Sequence, residues 1–158
     1  MSKERYYGAD APRRIDDLVE RGAEELTMLG YTVVEDVLPT VELGDWRRRI
    51  DAAYSQQEAE LGGRSAMVAI GEADLCRAPL LYDPSFLSLA CNETVLKIVR
   101  RMIGQFVVLH LQNAIINRSD EPHHQGAWHR DLPHQHWTSS KPLAIGALFA
   151  IDRFDAST

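Results

Sequence analysis

The chain has little of several things that usually announce a function. It holds two cysteines, Cys76 and Cys91, in 158 residues. Two thiols cannot build the disulfide framework of a small secreted domain, and their spacing fits no cysteine-based zinc site, so both read as free thiols in a reducing compartment. Positive charge is scarce: Lys and Arg number 17 against 23 Asp and Glu, for a net charge of −6. The run Arg47-Arg48-Arg49 reads as a solvated helix face, and no basic patch argues for nucleic acid or an anionic membrane as partner. No apolar run approaches a membrane span, and Met1 to Tyr7 lacks the apolar core of a signal peptide. The expectation is a soluble, cytoplasmic protein. There is no internal repeat, no low-complexity tract and no Pro/Gly-rich linker, so one domain is expected, with residues 1–9 as a flexible N-terminus.

Helix signals dominate the first two thirds of the chain. Asp10 and Pro12 suggest a helix start, and Gly30 its end, with Ile15, Leu18, Val19, Leu26 and Leu29 as the apolar face. Tyr31 to Val34 is a short β-rich run. Thr40 caps a second predicted helix over 41–61, stopped by Gly62-Gly63. Residues 65–81 mix short apolar runs with Gly71 and Pro79 and read as strand and loop. Asp83-Pro84-Ser85 opens a short helix through Ala90, and Asn92 caps another from Glu93 to Ile103, ended by Gly104.

After Gly104 the pattern changes. Residues 105–117 are rich in Val, Leu and Ile and partly alternate, which predicts a strand. Residues 118–126 form a polar loop, Trp128 to Leu132 an extended segment, and 134–142 another loop. Leu143 to Ile151 is continuously apolar and predicts a central strand buried on both faces. A charge at Ile145 or Leu148 should therefore destabilise strongly.

The chemistry-bearing motif is His129-Arg130-Asp131. On an extended segment, side chains two residues apart point to one face. A neutral imidazole and a carboxylate so placed are two thirds of the 2-His-1-carboxylate triad that holds non-heme Fe(II) and leaves coordination positions open. Of the other histidines, His123 and His124 read as solvated. His134 and His136 could line the mouth of a site. His110 alternates with core residues, and Trp137 reads as packing.

The ordered pieces Gly30 to Leu38, Leu111 to Asn117, Trp128 to Asp131 and Leu143 to Asp155 resemble the phytanoyl-CoA dioxygenase family of Fe(II)- and 2-oxoglutarate-dependent oxygenases. The resemblance implies a double-stranded β-helix, a cupin-like jelly roll, preceded by helices. It implies His129 and Asp131 as metal ligands and catalytic residues, Gln112 and Asn113 near the cosubstrate, and oxidative decarboxylation of 2-oxoglutarate coupled to hydroxylation of a small organic substrate. Family members also carry a second metal-binding histidine and a basic 2-oxoglutarate anchor further along the chain. This sequence ends at Thr158. Residues 10–158 thus read as the helical region and first half of one oxygenase domain. The readings are a fragment, a protein completed by a C-terminal segment or second chain, or a degenerate relative. The fragment is favoured, because a strand as apolar as Leu143 to Ile151 does not end a domain with its edges unpaired. Two other classes stand beside the oxygenase: a non-catalytic binding or scaffold relative, and a zinc-binding protein using the histidines of 123–136.

Two ligands hold a divalent metal poorly. Residues 1–158 by themselves are predicted to bind Fe(II) weakly, to self-associate, and to show no 2-oxoglutarate-dependent hydroxylation. Robust turnover by a monomer of this chain would place the third ligand within it, with His134 and His136 the first to substitute.

Overall fold

The structure is a computed structural model that describes residues 17–117 and 139–154. Helix α1 spans Leu18–Leu29. Its start corrects the expected one. Asp17 is the cap, with an extended backbone and a carboxylate that accepts from the amides of Val19 and Glu20. The expected start at Asp10 lies outside the described residues. Gly30 ends the helix at φ 82°, a conformation glycine adopts without strain. Tyr31 to Val34 forms no strand.

Thr40 opens a single 3-10 turn that runs into α2, Leu43–Glu60. Gly62 and Gly63 both take positive φ and stop it, as the sequence predicts. The region read as strand and loop divides differently. Arg64–Ala69 form α3, Leu75–Arg77 form β1, and Pro79–Leu81 make a 3-10 turn. Met67, the buried residue of α3, shows the reason: one helical turn suffices to bring it wholly inside. Asp83 caps the next 3-10 turn by accepting from Ser85 N–H, α4 follows at Leu87–Ala90, and Asn92 caps α5, Glu93–Ile103.

Helices α1 and α5 pack as a pair. Gly22 makes the close approach possible: a Cβ there would lie 3.1 Å from Cδ1 of the buried Ile98. Arg101 clamps the rim with a bidentate pair to Glu20, at 2.8 and 3.0 Å. The main core forms on α2. Trp46, Ala53 and Tyr54 face Met67, Cys76, Phe86 and Leu89, with Phe149 and Ile151 against the same cluster. Trp46 and Phe86 meet as tilted rings with centroids 5.6 Å apart.

Among the described residues the one sheet is β1 paired antiparallel with β2, Asn113–Ile115, in the register Leu75 to Ile115, Cys76 to Ala114 and Arg77 to Asn113. The long strand expected over 105–117 is therefore shortened to three paired residues. Phe106 is fully exposed. The expected central strand Leu143 to Ile151 is also corrected: it runs without strand pairing, and Leu148 is 96% exposed. An apolar run becomes a strand only when a neighbour takes its backbone groups, and among the described residues none does. No helix among these residues is long and apolar enough to cross a membrane.

One hydroxyl carries a measurable share of this core. The backbone N–H of buried Asp74, held at φ 62°, donates to Tyr54 Oη at 2.9 Å. Tyr54→Phe is predicted to lower unfolding free energy by about 1–3 kcal/mol, because it orphans a buried donor. Leu148→Asp should change it by less than about 0.5 kcal/mol. Denaturant melts of the two variants read the difference; the reverse ranking would show Leu148 to be core.

Candidate functional site

Where β1 and β2 pair, Asn113, Arg77 and Glu72 form one polar cluster, and Gln112 turns to the opposite side of the strand, toward Phe86. Asn113 sits opposite Arg77 in the register. With its amide oriented to satisfy both neighbours, it donates to the Gln112 carbonyl at 2.9 Å and accepts from Arg77 Nη1 at 3.2 Å. The rest of the guanidinium is held by Glu72, Nε at 2.6 Å and Nη2 at 2.9 Å, and this carboxylate keeps Arg77 firmly charged. Gln112 is anchored as well: its Nε2 donates to the carbonyl of Phe86 at 3.0 Å. Its Oε1 is buried and has no hydrogen-bond partner among the described residues.

The two expected cosubstrate residues thus differ in what they offer. Gln112 has committed its N–H to Phe86, and its spare atom is an acceptor, which suits an incoming N–H or O–H. Asn113 joins Arg77 in a polar pair at the sheet surface, and this pair can meet a carboxylate. Sequence reasoning missed Arg77 and Glu72. Their signal is faint, two unlike charges five positions apart in a region of mixed pattern.

His129 and Asp131, the expected metal ligands, lie outside the described residues, as do His123, His124, His134, His136 and Trp137. His110 is exposed rather than a core histidine. No three His, Cys, Asp or Glu side chains come together as a metal site among the described residues. The donor types at 129 and 131, one imidazole and one carboxylate, suit a divalent iron.

A second polar cluster lies on α2. Arg49 reaches Asp45 at 3.1 Å, Asp83 at 2.6 Å and Ser85 at 2.9 Å, and lies over the Trp46 ring. A shallow groove of about 280 Å³ beside it is lined by Arg48, Gln56, Tyr82 and Asp83. These cations are paired with carboxylates, which ties α2 to the Asp83 turn. Of the run expected to be solvated, Arg47 and Arg48 are exposed and Arg49 is half-buried.

The family model for phytanoyl-CoA dioxygenase matches residues 28–157. An uncharacterized protein of Mycobacterium bovis and one of Mycobacterium tuberculosis are each 33% identical to the chain over 140 residues, covering 85% of this chain and 50% of the relative. The chain therefore spans about half the length of these curated relatives. No solved structure matches.

The two thiols give a check on the packing beneath the site. Cys76 is fully buried on β1, and burial pushes its pKa up to about 11, while Cys91 is exposed. Because the shift is upward from 9.0, burial of the neutral thiol stabilises the fold in full below pH 9 and loses that contribution as pH rises toward 11. Iodoacetamide at pH 8, followed by peptide mass spectrometry, should label Cys91 at least about 100-fold faster than Cys76. Equal labelling would mean that β1 is open to solvent.

Proposed function

The chain belongs to the phytanoyl-CoA dioxygenase family, and from that membership we propose that it carries part of the active site of a non-heme Fe(II)- and 2-oxoglutarate-dependent oxygenase. The observation that carries the reading is the span of the family match, which takes in Gln112, Asn113, His129 and Asp131. The mycobacterial relatives bear no assigned activity, so the substrate is proposed only as a small organic molecule with an oxidisable C–H bond. The double-stranded β-helix belongs to the same proposal.

In this reading the neutral imidazole of His129 and the carboxylate of Asp131 hold the iron from one face of an extended segment. When bound, the iron and the 2-oxo acid together supply activation of dioxygen, with the overall balance of substrate, O2 and 2-oxoglutarate to hydroxylated substrate, succinate and CO2. The chain's own groups bind and orient. Asn113, steadied by Arg77, receives a carboxylate. Gln112, pinned to the Phe86 carbonyl, turns a buried acceptor oxygen to whatever donor occupies its neighbourhood. The Glu72 carboxylate fixes the guanidinium in place, so an arriving anion meets a preset geometry.

The test uses the intact protein. It should bind one Fe(II) per site and decarboxylate 2-oxoglutarate. His129→Ala with Asp131→Ala should remove iron binding and lower decarboxylation by more than about 100-fold while the circular dichroism spectrum is kept. Asn113→Ala should raise the KM for 2-oxoglutarate by about tenfold with a smaller change in kcat. Full turnover in the His129/Asp131 double variant would sink the assignment.

A further inference from the structure

Gln112 takes its orientation from a turn to which it does not belong. Its Nε2 donates to the Phe86 carbonyl at 3.0 Å. A side-chain amide is planar, so pinning its nitrogen also sets the direction of its oxygen. The oxygen so aimed is buried, with no hydrogen-bond partner among the described residues. Hydrogen bonds weaken steeply once distance or angle departs from the optimum. The place of the Phe86 carbonyl therefore fixes where Gln112 Oε1 points.

That carbonyl closes the 3-10 turn Pro84–Phe86, and α2 holds the turn at both ends. At the far end the buried Phe86 ring lies against Trp46. At the near end Asp83 divides its carboxylate. Oδ1 accepts from Ser85 N–H at 2.8 Å, and Oδ2 accepts from Arg49 Nη1 at 2.6 Å. The same Nη1 donates to Ser85 Oγ at 2.9 Å. Arg49 is steadied on its own helix by Asp45, through Nε at 3.1 Å, and by the Trp46 ring beneath the guanidinium. Its two neighbours in the run go elsewhere: Arg47 pairs with Asp152 and Arg48 with Asp45. Ion pairs as exposed as these add little stability, but a charge-assisted pair with two acceptors on one turn fixes geometry.

We infer that Arg49, acting through Asp83 and the turn that Asp83 caps, is a positioning residue for Gln112. The path runs from the guanidinium to the Asp83 carboxylate, along Ser85 and Phe86, and across to the Gln112 amide. Arg49 touches neither Gln112 nor anything bound beside it. Loss of the guanidinium frees Asp83 and Ser85 Oγ from α2, and the Phe86 carbonyl is then held at one end only. Small displacements of an orienting group are costly where geometry is preset. Only the question of what Gln112 faces rests on the oxygenase reading.

The experiment compares Arg49→Met with Arg48→Met in the intact protein. NMR of the metal-free protein follows solvent exchange of the Gln112 Nε2 protons. Arg49→Met should speed it by at least about fivefold, while the backbone amides of Ala53 and Ile98 change by less than about twofold. Arg48→Met should leave all of them unchanged. Asp83→Asn is the milder second variant, since it keeps an acceptor for Ser85 N–H and removes the charge that Arg49 meets; it should act in the same direction. In the iron-loaded protein, Arg49→Met should raise the KM for 2-oxoglutarate by at least about threefold with a smaller change in kcat. In a Gln112→Ala background it should add less than about 1.5-fold, because its effect passes through Gln112. Unchanged Gln112 exchange in both Arg49→Met and Asp83→Asn, or a full additional effect in the Gln112→Ala background, would overturn the inference. Faster exchange with an unchanged KM would uphold it and remove the cosubstrate from the side of Gln112.

Discussion

Leu75 and Arg77 turn their backbone groups away from β2, among them the Leu75 carbonyl and the Arg77 N–H, into a place that would otherwise be a bare strand edge inside the protein. The Gln57 side chain of α2 takes both, its N–H donating to one and its oxygen accepting from the other. A side-chain amide has the donor and acceptor of a peptide group, so it stands in for the neighbouring strand that a three-residue β1 lacks. Gln57 is buried, and an unpaired amide there would cost a full desolvation penalty. The same two bonds therefore hold the strand to the helix and justify the burial of the glutamine.

Much else follows from that attachment. With β1 fixed to α2, Cys76 enters the core beside Met67 and Phe86, and β2 is placed in register by the ladder. The register sets Asn113 opposite Arg77, and Arg77 is itself restrained by Glu72. Gln112 comes within reach of the Phe86 carbonyl on the far side of the core. A helix, a strand and a capped turn thus place the two polar residues proposed to face the cosubstrate. Arg49 reinforces the frame by joining α2 to the Asp83 turn.

Local signals and distant ones behaved differently in this chain. Caps and stops are written in residues that act on their immediate neighbours: Asn92 accepts from Val95 N–H, Asp83 from Ser85 N–H, and Gly30 takes a left-handed φ. These were legible. The helix at Arg64–Ala69 was not, because its pattern is one turn long and lies among glycines. Strand length was misread at 105–117 and 143–151, since apolar alternation states only that a segment can pair. Whether it does depends on a partner strand, and for most of both stretches the described residues offer none.

The sequence by itself determined most of the helices of the first two thirds, the caps Asp83 and Asn92, the stops at Gly30 and Gly62-Gly63, and the His129-Arg130-Asp131 motif with the family resemblance that gives it meaning, because each depends on residue type and near spacing. Tertiary structure alone decided that Gln57 bonds β1, that Arg77 meets Asn113, and that Gln112 spends its N–H on Phe86 while its buried oxygen has no partner among the described residues. The bonds of Gln57 to β1 and of Gln112 to Phe86 join positions 18 to 26 residues apart in the chain. The physical reason is that a hydrogen bond between such positions exists only once burial has made water unavailable and packing has brought the two groups together.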